Sequence, residues 1–179
     1  MKQKTEDLKN DVALLPTRVL RAGNVTVTYE EGRLRYIAYD DCEAVRMIFP
    51  ALRDDHWVTI PMKISNETVT EKERAFNIRF HGSFTSSVVK FEADFSIDGS
   101  EDGTIIFGMN GKALNGFKSK RTGLCVHHPI HGSAGREVEI IHPGEKTEKL
   151  SFPLLISPHR PFTDVTGMRY VTSNNIAVE

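Results

Sequence analysis

The chain has 179 residues, with 23 Lys+Arg against 24 Asp+Glu, a formal net charge of −1. Hydrophobic residues at 39% and charged residues at 26% fit a globular domain and exclude disorder. The balanced charge excludes a general nucleic-acid binder, which needs a basic excess on one face to neutralise phosphates.

No apolar run approaches the roughly 20 residues of a transmembrane helix. The charged stretch Met1–Asn10 lacks the apolar core of a signal peptide. The expectation is a cytoplasmic protein without membrane or nucleic-acid partners. Cys42 and Cys125 stand far apart and form no CxxC motif. They read as two buried thiols, with a disulfide as the alternative.

In chain order, residues 1–20 read as an N-terminal arm or a short helix, with Leu8, Val12 and Leu15 on one face and Pro16 as its stop. From Asn24 the period becomes two. Val25, Val27 and Tyr29 alternate with polar residues, Glu30-Glu31-Gly32 turns, and Leu34, Tyr36 and Ala38 alternate again, the pattern of a β-hairpin. Val45, Met47 and Phe49 continue until Pro50, and Trp57 to Ile64 reads as a further strand.

The middle is clearest. Phe76, Ile78 and Phe80 alternate, then Val89, Phe91, Ala93, Phe95 and Ile97. The turn Asp98-Gly99-Ser100-Glu101-Asp102-Gly103 follows, then Ile105, Phe107 and Met109. No amphipathic helix separates these strands, which excludes a parallel βαβ plan. Later come short strands at 124–127, 137–141 and 150–156, with the turn His142-Pro143-Gly144 between the last two. Val171–Glu179 reads as a strand, an Asn-Asn turn and the opening of another strand, which suggests a truncated chain. The expected fold is a mostly-β, antiparallel two-sheet sandwich over 21–179, resembling a supersandwich, with few or no helices.

Three places could carry chemistry. Cys125-Val126-His127-His128-Pro129-Ile130-His131 offers four potential metal ligands in seven residues. The spacing matches no standard zinc motif, so hydrogen-bonded histidines are expected and no metal or cofactor. The carboxylates sit at turns or on polar strand faces, and no G-x-S-x-G elbow, P-loop or G-x-G-x-x-G is present. Arg53-Asp54-Asp55-His56-Trp57 holds the sole Trp beside charges. That grouping either holds a sugar by stacking and hydrogen bonds or, as favoured here, has its Trp plug the sandwich core or an interdomain seam.

Several blocks together carry a resemblance. Leu34-Arg35-Tyr36-Ile37, Arg46-Met47-Ile48-Phe49 and Leu52-Arg53-Asp54-Asp55-His56-Trp57-Val58-Thr59-Ile60-Pro61 resemble the N-terminal β-sandwich region of the D-apionate lactonase family. So do Arg121-Thr122-Gly123-Leu124-Cys125-Val126-His127-His128-Pro129, His142-Pro143-Gly144 and Phe152–Phe162. The similarity runs from about Arg21 to Glu179. His127 departs from the pattern, which prefers an apolar residue before the His-Pro pair. The resemblance implies a longer sugar-acid lactonase, laid out like a glycoside hydrolase, in which this sandwich precedes a (β/α)8 barrel. Barrel active sites lie at the C-terminal ends of the strands, and the barrel alone needs roughly 200 residues.

The reading is therefore a non-catalytic sandwich domain that packs on a catalytic barrel, with no catalytic residue of its own and no expected activity as this chain. Arg53, Trp57, Arg121 and His128 are its candidate sugar-acid contacts, by stacking, anion pairing and hydrogen bonding. The alternatives are a stand-alone carbohydrate-binding domain and a small His-dependent sugar epimerase or metal enzyme.

Overall fold

The computed structural model describes residues 16–155 and 161–179, so the reading of a helix or arm over residues 2–15 lies outside the described residues. Among the described residues the chain forms thirteen strands and one short helical turn. Three antiparallel sheets result, where the sequence led us to expect two.

The first sheet has the order β1 (Arg18–Ala22), β2 (Val25–Glu30), β3 (Arg33–Tyr39), β4 (Cys42–Asp54) and β9 (Ser119–His127). Its hairpins turn in two residues. Glu31 and Gly32 link β2 to β3, and Asp40 and Asp41 link β3 to β4, all four at positive φ. That is the mirror-image turn whose twist matches the flanking strands. The predicted alternation fails inside β3. Thr28 pairs with Arg35 and Thr26 with Ala38, so Val27 faces both Tyr36 and Ile37. This bulge, with Tyr36 at φ 51°, changes the phase: Leu34 and Ile37 are buried while Tyr36 is exposed. Strand β4 continues past Pro50. Strand β3 pairs only as far as Ile48, so Pro50 has a neighbour on one side alone, where a missing N–H is tolerated.

The second sheet is a meander of β5 (Met62–Glu71), β6 (Phe76–Thr85), β7 (Lys90–Gly99) and β8 (Ile105–Ala113). In β6 and β7 the period of two is kept without a break. Phe76, Ile78, Phe80 and Phe84 of β6 and Phe91, Ala93, Phe95 and Ile97 of β7 are all buried. Phe80 stacks on its cross-strand partner Phe95 at 4.7 Å. Gly99 is needed because the Phe76 ring lies over it. A Cβ there would sit 2.2 Å from the ring. The two sheets share one core, in which Leu20, Val27, Leu34 and Leu52 meet Ile78, Phe80, Phe95 and Ile97.

After β9 the chain makes one helical turn, α1 (Ile130–Ser133), and enters the third sheet. Its order is β11 (Thr147–Ser151), β10 (Glu137–Ile141), β12 (Gly167–Val171) and β13 (Ala177–Val178). It has its own small core of Val138, Ile140, Phe152 and Tyr170. The His142-Pro143-Gly144 turn closes β10 on β11, with Gly144 and Glu145 at positive φ. The expected hairpin around the Asn-Asn turn also forms, β13 pairing back on β12. The predicted strand 150–156 ends at Ser151, before Pro153. Cys42 and Cys125 are half-buried free thiols. No helix among the described residues is long and apolar enough to cross a membrane.

Candidate functional site

Strand β4 ends in a tight turn that corrects two expectations. Residues 57–61 are not strand, and Trp57 is not in the core: it is 52% exposed. The turn is built by Asp54. Its buried carboxylate accepts from the backbone N–H groups of His56 and Val58, both at 2.9 Å. The Asp54 N–H donates to the Val58 carbonyl at 3.1 Å, and the Trp57 N–H to the Asp54 carbonyl at 3.2 Å. Trp57 itself sits at φ 66°, a left-handed conformation that costs a non-Gly residue about 1–2 kcal/mol. The Asp54 hydrogen bonds hold it there and keep the indole outside.

Arg53, just before this turn, is paired directly with Arg121 of β9. The Arg121 guanidinium lies 6.0 Å from the Trp57 ring centre, a cation–π contact. It also donates to Cys125 Sγ at 3.6 Å. Two steps along the same face come Ala51 and Gly123, then Phe49 and Cys125, then Met47 and His127. The His127 ring meets Phe49 edge-on at 5.0 Å. Burial and the nearby charges of Arg121 and Arg53 hold His127 below the usual histidine range. Leu52, Ile48 and Leu124 point the other way, into the core. The outer face of the first sheet therefore carries aromatic, sulfur and aliphatic groups with arginines among them.

The outer face of the second sheet is different. Arg79 pairs with Asp98 at 3.0 Å, His81 with Asp94 at 2.8 Å, and Asn77 donates to Asp98. These are internally paired polar groups of a solvated surface.

His128 does not join Arg53, Trp57 and Arg121. Its Nδ1 lies 2.9 Å from the Tyr170 hydroxyl, and its ring packs on Phe152 and Tyr170, both at 5.5 Å. The Tyr170 hydroxyl donates to the Ala44 carbonyl at 3.1 Å. The network thus assigns the His128 proton to Nδ1, donating to the Tyr170 oxygen. Burial is the main cause that pushes His128 down to about 4, with the His127 charge adding to it. A neutral His128 at pH 7 is a seam residue between the sandwich and the third sheet. Tyr170 is pushed up to about 12 by burial.

Among the described residues the ligand atoms of Cys125, His127, His128 and His131 do not converge. The group of three that does is Asp54, Asp55 and His56, and there Asp54 already serves the backbone. A groove of about 580 Å³ lies on the third sheet, but its Glu137, Glu139, Lys149, Arg169 and Glu179 are paired with one another. The opposition of Arg53 and Arg121, and the part played by Tyr170, had no local signal, since each depends on residues far apart in sequence. The Asp54 turn did have one, an Asp ahead of polar loop residues.

Fold and face together define an antiparallel β-sandwich module with a small third sheet and an Arg–Trp cluster on one outer face. The model of the family described as D-apionate lactonase, N-terminal domain, matches residues 6–179, and the chain belongs to this family. It is similar to the D-apionate lactonase of Brucella anthropi, with 28% identity over 161 residues. That match covers 89% of this chain and 26% of the relative, so the chain spans about a quarter of the relative's length. No solved structure matches.

Proposed function

We propose that this chain is the non-catalytic N-terminal module of a D-apionate-lactonase-type enzyme and that it docks on the catalytic remainder, a (β/α)8 barrel, through the outer face of its first sheet. The contrast between the two outer faces carries this reading. One face is a self-paired polar surface, and the other holds Met47, Phe49, Cys125 and Trp57 with arginines between them. Aromatic, Met and Arg side chains gathered on one face are the composition of an interface core. The relative's extra length leaves room for such a partner, because roughly three quarters of it lies outside the match.

The test is assembly in trans. The purified chain is mixed with the Brucella anthropi lactonase lacking its matched N-terminal segment, and complex formation is read by size-exclusion chromatography. A complex is expected, weakened by Phe49→Asp and unchanged by Arg79→Asp on the opposite sheet. No complex, or equal effects of the two substitutions, would overturn the proposal.

A further inference from the structure

We infer that Arg53 and Arg121, with the Trp57 ring beside them, form a carboxylate-binding site on the outer face of the first sheet. The two guanidinium-bearing residues stand directly opposite each other across β4 and β9. Like charges so placed repel, and a shared negative group between them would relieve the repulsion. The fold supplies none among the described residues. Arg33, Arg35, Arg46, Arg79 and Arg169 each pair with a carboxylate, whereas Arg53 and Arg121, like Arg18, Arg21, Arg74 and Arg136, have no carboxylate partner among the described residues.

Two further observations point the same way. The Arg53 Nε is buried and has no hydrogen-bond partner among the described residues. Arg121 spends its Nη1 on a thiol sulfur, a weak acceptor that a carboxylate oxygen outcompetes. The neighbouring Asp54 does not neutralise the pair, since its carboxylate is turned to the backbone of its own turn.

The planar fork of arginine takes a carboxylate through two parallel N–H···O bonds. Beside it the half-exposed indole offers a flat apolar face to the C–H groups of the acid's carbon chain. A small polyhydroxy acid and an Asp or Glu side chain of a docked domain share this chemistry. The site stands on Arg53 and Arg121 and not on the docking reading, so either can fail alone.

Trp57 is the sole tryptophan, so its fluorescence reports on the site. The purified protein is titrated with D-gluconate, with acetate and with D-glucose, at constant ionic strength. A saturable change with gluconate is expected and none with glucose. The same change with acetate shows that the carboxylate alone is read, as in a protein side chain. A response to gluconate only shows that the hydroxylated chain is read too. Arg121→Gln and Arg53→Gln weaken the response by about tenfold or more, whereas Arg79→Gln leaves it unchanged. Arg121→Lys keeps the charge but loses the fork, and falls between. Far-UV circular dichroism checks that each variant is folded, and Arg53→Lys replaces any that is not. No saturable change with either acid, an equal change with glucose, or arginine variants that respond as the wild type does, would overturn the inference.

Discussion

Replacing His128 by Phe removes one titrating ring from the seam between the sandwich and the third sheet. The imidazole is held at about 4, against 6.5 in the unfolded chain, mainly because its charged form would be buried. Its folded value is therefore depressed, and the unfolded chain takes up the proton first. Stability is fully present above about pH 6.5, is lost as the pH falls through the interval between the two values, and reaches its floor below about 4. A tenfold difference in proton affinity between the folded and unfolded chains is worth about 1.4 kcal/mol, so the loss between pH 7 and pH 4 approaches about 3 kcal/mol. That is a large part of a typical domain's stability of about 5–15 kcal/mol. His127 is displaced in the same direction and adds to the loss. His128→Phe keeps a ring against Phe152 and Tyr170 and leaves the Tyr170 hydroxyl on Ala44. At pH 7 it costs about 1 kcal/mol for the missing hydrogen bond. Urea unfolding followed by circular dichroism at pH 7, 5.5 and 4 measures both proteins. The wild type should lose about 3 kcal/mol more than the variant across that range. Parallel losses in the two proteins would refute the assignment of the seam to a neutral, buried His128.

Further outcomes follow from the packing. Tyr170→Phe leaves the Ala44 carbonyl and His128 Nδ1 without their shared partner and should cost about 1–3 kcal/mol in urea unfolding. Gly99→Ala drives a methyl group into the Phe76 ring and should cost about 1–3 kcal/mol by the same measurement, whereas Gly144→Ala, with open space around it, pays only for its positive φ. Asp54→Ala removes the acceptor of two backbone N–H groups. It should lower the thermal midpoint and shift the Trp57 emission as the strained turn relaxes, while Asp54→Asn, which retains an acceptor oxygen, keeps most of both.

The centre of the second sheet was legible because β6 and β7 obey one rule without exception. Every apolar residue of β6 and β7 falls on the buried face, and a one-residue slip would expose all of them. The first sheet was less so. A bulge at Tyr36 moves the buried position from 36 to 37, and no pattern of single residues announces a bulge. The third sheet was read as part of the sandwich because its strands have the same alternation. What separates it is that β10 takes β11 as its hairpin partner on one side and the distant β12 on the other, and the second pairing is non-local. Arg53, Trp57 and Arg121 were found by chemistry and are neighbours in space, although Trp57 was expected inside. His128 was grouped with them because strand-end histidines read alike in sequence. Its burial depends on Tyr170, 42 residues away. The metal-rich look of residues 125–131 dissolves because alternation along β9 and the turn at Pro129 send successive ligands to different sides.

The most direct measurement is hydrolysis of an aldonolactone by the purified 179-residue protein, followed by proton release against a blank. The expected rate is indistinguishable from spontaneous ring opening, with the wild type and Arg121→Gln alike. Saturable turnover by this chain alone, abolished by a single substitution on the first sheet, would contradict a non-catalytic module.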